Sequence, residues 1–138
     1  MFLNKEKIKI AIETGKLSIS PFVENNLKSA SYTFTLNSSL KNPYTGKETQ
    51  INEDGHRLSP GEFILGYTEE ILDLKNNFLC VLGTRGSIAQ KGIDAVQSSI
   101  IAEPDTNNRL ILEIVNNSSE DFLLFSGMNI VKGIFGEV

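Results

Sequence analysis

The 138-residue chain has no tryptophan, one cysteine and one histidine. A single cysteine, Cys80, rules out an internal disulfide. A structural zinc site usually takes four nitrogen or sulfur ligands, so Cys80 and His56 cannot build one within the chain. The same count excludes the His/Cys/Cys ligand set of zinc-dependent nucleoside deaminases, and no zincin motif is present. Basic residues do not predominate either: 13 Lys and Arg against 17 Asp and Glu leave a formal net charge of −4. That argues against nonspecific nucleic-acid binding but leaves room for a locally basic pocket. No apolar run reaches the ~20 residues of a membrane-spanning helix, and the opening MFLNKEKIKIAIETG is too charged for a signal peptide. The expected location is therefore the cytoplasm, with no membrane partner. Repeats, low-complexity tracts, linkers, a βαβ rhythm and a Gly-rich phosphate loop are also missing. Residues 1–138 are expected to form one domain, a length that buries a core without staples.

What is present reads as mainly β with a short N-terminal helix. Asn4 is a candidate N-cap and Gly15 a candidate C′ residue, with Ile8, Ala11 and Ile12 at helical spacing between them. Leu17 to Ser20 is extended and halted by Pro21. Tyr32 to Leu36 is rich in β-formers. Residues 37–57 are turn-rich and suit a hairpin loop or short meander. Strands are expected at 62–68, 78–83, around 93–101, at 109–115, 122–125 and 128–131, and over the apolar end from Ile134. Thr84 to Lys91 suits one or two helical turns closed by Gly92. Short strands with turns every 8–14 residues indicate a sandwich or a partly closed barrel.

Three places carry candidate chemistry. On the strand 109–115, Ile111, Glu113 and Val115 share one face, opposite Leu110, Leu112 and Ile114. A carboxylate between two branched aliphatics is expected to be partly desolvated, which suits proton transfer. A solvated glutamate, or one paired with arginine, fits the same pattern. The segment from Gly83 to Gly92 offers backbone amides, a hydroxyl at Ser87 and two cations, Arg85 and Lys91, the ingredients of an anion site. A surface capping turn with solvated charges has the same composition. Glu103 and Asp105 flank Pro104, placed to accept from a sugar hydroxyl or to hold Mg²⁺ through water, or simply to shape a turn. Cys80 lies in the run Phe78 to Leu82 and reads as a buried thiol. His56 reads as an exposed loop residue, and Tyr67 as a sheet-face or core residue.

In order, these segments resemble the dCTP deaminase branch of the dUTPase-like superfamily. The resemblance runs from the N-terminal helix and Gly15 to Pro21, through Ser29 to Leu36, Leu58 to Phe63, Thr84 to Gln90, Glu103 to Asp105 and Leu112-Glu113, to Ser126 to Ile130. It implies a distorted β-barrel or jelly-roll, the dUTPase-like β-clip, assembled as a homotrimer with sites between subunits. It also implies a deoxynucleotide triphosphate as substrate, with Mg²⁺ held through the triphosphate and no zinc. By position Glu113 matches the glutamate that activates water against C4 of cytosine. Ser87 and Gln90 fall at catalytic positions, and Arg85, Gly86, Ser99 and Glu103 at nucleotide-binding ones.

The chain departs from the family pattern at several of these positions. A serine is replaced by Gly86 and an arginine by Gln90. Val96-Gln97-Ser98-Ser99 stands where a histidine and small residues are usual. Glu103 replaces an aspartate, Asp105 a glycine and Thr33 an aspartate, and no counterpart of the family's C-terminal extension is expected within residues 1–138. Gln90 carries no charge to stabilise a developing anion, and loss of one such donor costs roughly 10²–10³ in rate. Three readings follow from the resemblance: a dCTP deaminase-like enzyme, a catalytically degenerate nucleotide-binding, regulatory or structural homo-oligomer, and a dUTP pyrophosphatase.

Overall fold

The computed structural model describes residues 1–138. Helix α1 (Lys5–Glu13) begins at Asn4, whose side-chain oxygen accepts from the Lys7 amide at 3.0 Å. It ends at Thr14, whose hydroxyl donates to the Ile10 carbonyl at 2.7 Å, and Gly15 follows with φ of 75°. Both caps are the expected ones. The helix buries Ile8 and Ala11 against the sheets.

The strands are β1 (Ser18–Ser20), β2 (Tyr32–Thr35), β3 (Ser39–Lys41), β4 (Glu48–Gln50), β5 (His56–Leu58), β6 (Phe63–Asp73) and β7 (Phe78–Thr84). After the short helix α2 (Gly86–Ala89) come β8 (Ile93–Asp94), β9 (Ile101–Ala102), β10 (Asn107–Asn116), β11 (Phe122–Leu124) and β12 (Asn129–Glu137). The larger sheet runs β4-β3-β6-β10-β8, with β1 added to β6; the smaller runs β2-β12-β7-β9, and β5 pairs with β11 in a ribbon. Every pairing is antiparallel. The sheets do not close into a barrel; they pack in a jelly-roll-like arrangement.

One core of 30 buried hydrophobic residues fills the space between the sheets. Strand alternation supplies it. On β10, Leu110, Leu112 and Ile114 point inward, as their spacing predicts, while β12 contributes Phe135 and the adjacent Ile130 and Val131, both buried where the β12–β2 register slips between Asn129 and Val131. Cys80 is fully buried, and burial pushes its thiol up to about 12, so it is an inert hydrophobe. The neighbouring strand has room for it only because residue 133 is glycine. A Cβ there would meet the Cys80 sulfur at 2.5 Å and the Phe34 ring at 3.1 Å.

Two polar groups organise the interior. The β6–β10 ladder slips between Arg109 and Ile111. Thr68 repairs the gap: its hydroxyl accepts from the Leu110 amide at 2.8 Å and donates to the Glu70 carbonyl at 2.7 Å. The Glu70 carboxylate crosses between sheets and accepts from the amide and hydroxyl of Thr35 on β2, at 2.9 and 2.7 Å.

Several expectations need correction: the strands expected at 128–131 and from Ile134 are one continuous strand, β12, and β6 runs on past residue 68 to Asp73. Residues 93–101 are not one strand but two short bridges, β8 and β9, separated by a loop from Ala95 to Ile100. Strand β10 starts at Asn107, two residues before its expected start at 109. His56 is not in a loop: it lies on β5, half-buried, with Nε2 3.5 Å from Glu62 Oε2.

Candidate functional site

Strand β7 delivers the chain into α2 through Thr84 and Arg85. The Arg85 amide donates to the Ile130 carbonyl at 2.8 Å, and its own carbonyl accepts from Ile88 and Ala89. This fixes Arg85 at the rim of a surface cavity of about 260 Å³ that it shares with Ser87, Lys91 and Asn129 over an apolar floor of Ile88, Phe122 and Met128. Two cations, a hydroxyl and an amide can together hold an anion. Four residues make too short a helix for its dipole to matter, so the attraction rests on side chains. A Cβ at Gly86 would meet nothing within 4 Å. Packing therefore does not require glycine there. Gln90 is the exposed C-cap of α2 and does not line this cavity.

The loop after β8 is tied back to β7. The Thr84 hydroxyl accepts from the Ala95 amide at 2.9 Å, and Asp94 Oδ1 accepts from Val96 and Gln97 at 3.0 and 2.8 Å. The Leu82 amide adds a bond to the Ile100 carbonyl at 2.6 Å. Ala95 and Val96 are buried, while Gln97 to Ile100 are exposed. Ser99 and Glu103 line a second cavity of about 320 Å³, with Thr106, Asn108, Arg109 and Ile111. Arg109 pairs there with Glu69 at 3.7 Å.

Glu113 lies on the outer face of β10, half-buried between Ile111 and Val115, as the alternation predicts. It makes no ion pair within the chain. Across the sheet it sits opposite Leu65 of β6, and Leu65 sits opposite Lys41 of β3. Thus Arg85 and Ser87 meet at one cavity, and Ser99 and Glu103 at another. Glu113 lines neither. Lys41, Arg109 and Asn129 were not singled out from sequence. The period-2 pattern shows which residues share a strand face, but only the register shows what stands across from them.

No group of three or more His, Cys, Asp or Glu side chains is placed to hold a metal ion. Asp105 takes φ of 71° in the turn after Pro104, exposed to solvent. The residues present do not build a metal site of their own.

A family model described as dCTP deaminase-like matches residues 2–138. The chain belongs to the dCTP deaminase-like family. Among sequence relatives, a "dCTP deaminase, dUMP-forming" of Hydrogenobaculum is 24% identical over all of this chain and 83% of its own length. The protein of the same name from Methanopyrus kandleri is 28% identical over 96% of this chain and 80% of its own. Among solved structures, the 2′-deoxycytidine 5′-triphosphate deaminase of Agrobacterium tumefaciens superposes with a TM-score of 0.81 at 16% identity, covering 97% of this chain. This chain spans about half of that one, 47%. The dUTPase of phage phi11 of S. aureus, whose structure coordinates a structural Mg(II) ion, gives 0.61 at 12% identity, over 88% of this chain and 90% of its own. The structural likeness establishes the dUTPase-like fold of this dCTP deaminase-like chain.

Proposed function

We propose that this protein binds dCTP and deaminates it, with Glu113 as the base. The observation that carries the reading is the placement of Glu113: a carboxylate without an ion-pair partner, half-buried between aliphatics on an outer strand face. Such a group takes a proton from water as the oxygen adds to C4 of cytosine, and returns it to the departing ammonia. Arg85, Ser87 and Lys91 hold the phosphates in the cavity beside α2. Ser99 and Glu103 contact the nucleotide from the second cavity, and Mg²⁺ enters on the triphosphate rather than on a protein-built site. Because Glu113 lines neither cavity of its own chain, the reading requires neighbouring copies, and a homotrimer provides them. The relatives named dUMP-forming suggest that a second water also hydrolyses the triphosphate, releasing pyrophosphate and leaving dUMP as the end product.

A second reading rests on Gly86 and Gln90. Gly86 offers no hydroxyl to place water, and Gln90 no charge to stabilise a developing anion. A chain with both changes can bind a nucleotide without turning it over. Incubation with dCTP and Mg²⁺, followed chromatographically with Glu113→Gln alongside, separates the two. The first reading expects deaminated product from the wild type and a loss of about 10²–10⁴-fold in the variant. Calorimetric binding without product supports the second.

A further inference from the structure

The row of side chains that carries Glu113 on the outer sheet face also carries a cation, Lys41. We propose that Lys41 supplies the cation of that face and binds the anionic part of a nucleotide lying against Glu113. The inference rests on the nucleotide reading above and adds a residue to it.

Register carries the argument. Cross-strand partners point their side chains to the same side of a sheet. Lys41 is paired with Leu65, and Leu65 with Glu113, so the three form one row across β3, β6 and β10 on the outer face. Strands lie about 4.8 Å apart, which puts the Lys41 and Glu113 backbones about 10 Å from each other. A lysine and a glutamate side chain leaning over a single leucine can close most of that gap. All three residues are half-buried, so a charge there is screened less than on open surface.

The same row continues outward to Glu48 on β4, which is exposed. Lys41 makes no ion pair with Glu48 or any other carboxylate of the chain. Its ammonium therefore remains available. The other cations near the proposed site are spoken for by position: Arg85 and Lys91 line the cavity beside α2, and Arg109 pairs with Glu69. Lys41 is thus the cation that sheet register assigns to Glu113. A flexible ammonium can follow charge that builds on a ligand, although without the two-pronged geometry of arginine.

The test combines binding with a chemical measure of reach. Calorimetry with dCTP and Mg²⁺ is run on wild type, Lys41→Met, Lys41→Arg and Lys5→Met, the last on α1 as a charge-loss control. The expected result is about tenfold weaker binding for Lys41→Met, with Lys41→Arg and Lys5→Met near wild type. Equal binding by wild type and Lys41→Met overturns the proposal, as does an equal loss in Lys5→Met. In parallel, zero-length carbodiimide coupling of the free protein is mapped by mass spectrometry. A Lys41–Glu113 linkage is expected; coupling of Lys41 to Glu48 alone contradicts its reach toward Glu113. A wild type that binds no dCTP defeats the function proposed above, while the coupling result still decides whether Lys41 belongs to Glu113's face.

Discussion

Glu70 sits on the inner face of β6 with 1% of its surface exposed and no cation beside it. Burial raises its pKa, and the two hydrogen bonds from Thr35 offset this only in part; the Glu69 charge raises it further. The folded state therefore favours the protonated form. Below the ordinary carboxylate range both states hold the proton, and the group costs nothing. As pH climbs from that range through the raised value, the unfolded chain ionises more readily and stability falls. Glu70→Gln removes this burden while its amide still serves Thr35. The variant is expected to melt a few degrees above wild type near pH 7, with the difference shrinking toward about pH 4, by calorimetry or circular dichroism. A constant difference across that range would assign the effect to packing. Cys80, also buried and ionisable, carries no such dependence near neutral pH because its thiol stays protonated up to about 12.

At the scale of elements, the joint between β7 and the loop after β8 decides how the two cavities sit relative to each other. Thr84 immediately precedes Arg85, and its hydroxyl is bonded to the Ala95 amide. Thr84→Val keeps the shape and removes the acceptor. Hydrogen exchange should show the amides of Ala95 to Gln97 opening about tenfold faster, a loss of about 1.4 kcal/mol locally, with Thr84→Ser near wild type. Unchanged exchange would mean that Asp94 alone holds the loop. Sequence showed less of this joint than of its surroundings. The helix caps Asn4 and Gly15, the inward face of β10 and the turns of α2 follow from local rules of capping, alternation and glycine placement. The loop from Ala95 to Ile100 does not. Its apolar residues Ala95 and Val96 mimic a strand, but side-chain bonds from Thr84 and Asp94 divert the backbone. His56 was misplaced for a related reason: its strand exists only through pairing with β11, far along the chain. The candidate site was legible as residue types at Arg85, Ser87 and Glu113. Their separation onto different surfaces depends on long-range register, which periodicity does not encode.

The whole molecule keeps Arg85 and Ser87 apart from Glu113, which adjoins the cavity of Ser99 and Glu103 through Ile111, and large apolar side chains are exposed beside both. Ile111 is 61% exposed next to Glu113, and Ile101 is 54% exposed at the cavity holding Ser99 and Glu103. Such side chains beside an unfinished site favour association. Sedimentation at micromolar concentration is expected to give three times the chain mass of 15.2 kDa, and Ile111→Lys to shift the distribution toward single chains. A wild type sedimenting as one chain would leave Glu113 and Arg85 on unconnected surfaces.

Conversion of dCTP at Glu113 is what decides the function. Chromatographic analysis of dCTP incubated with the intact protein and Mg²⁺ measures this most directly. Accumulation of dUTP or dUMP by the wild type, lost in Glu113→Gln, is the predicted result. Unchanged dCTP, or conversion that survives Glu113→Gln, would contradict it.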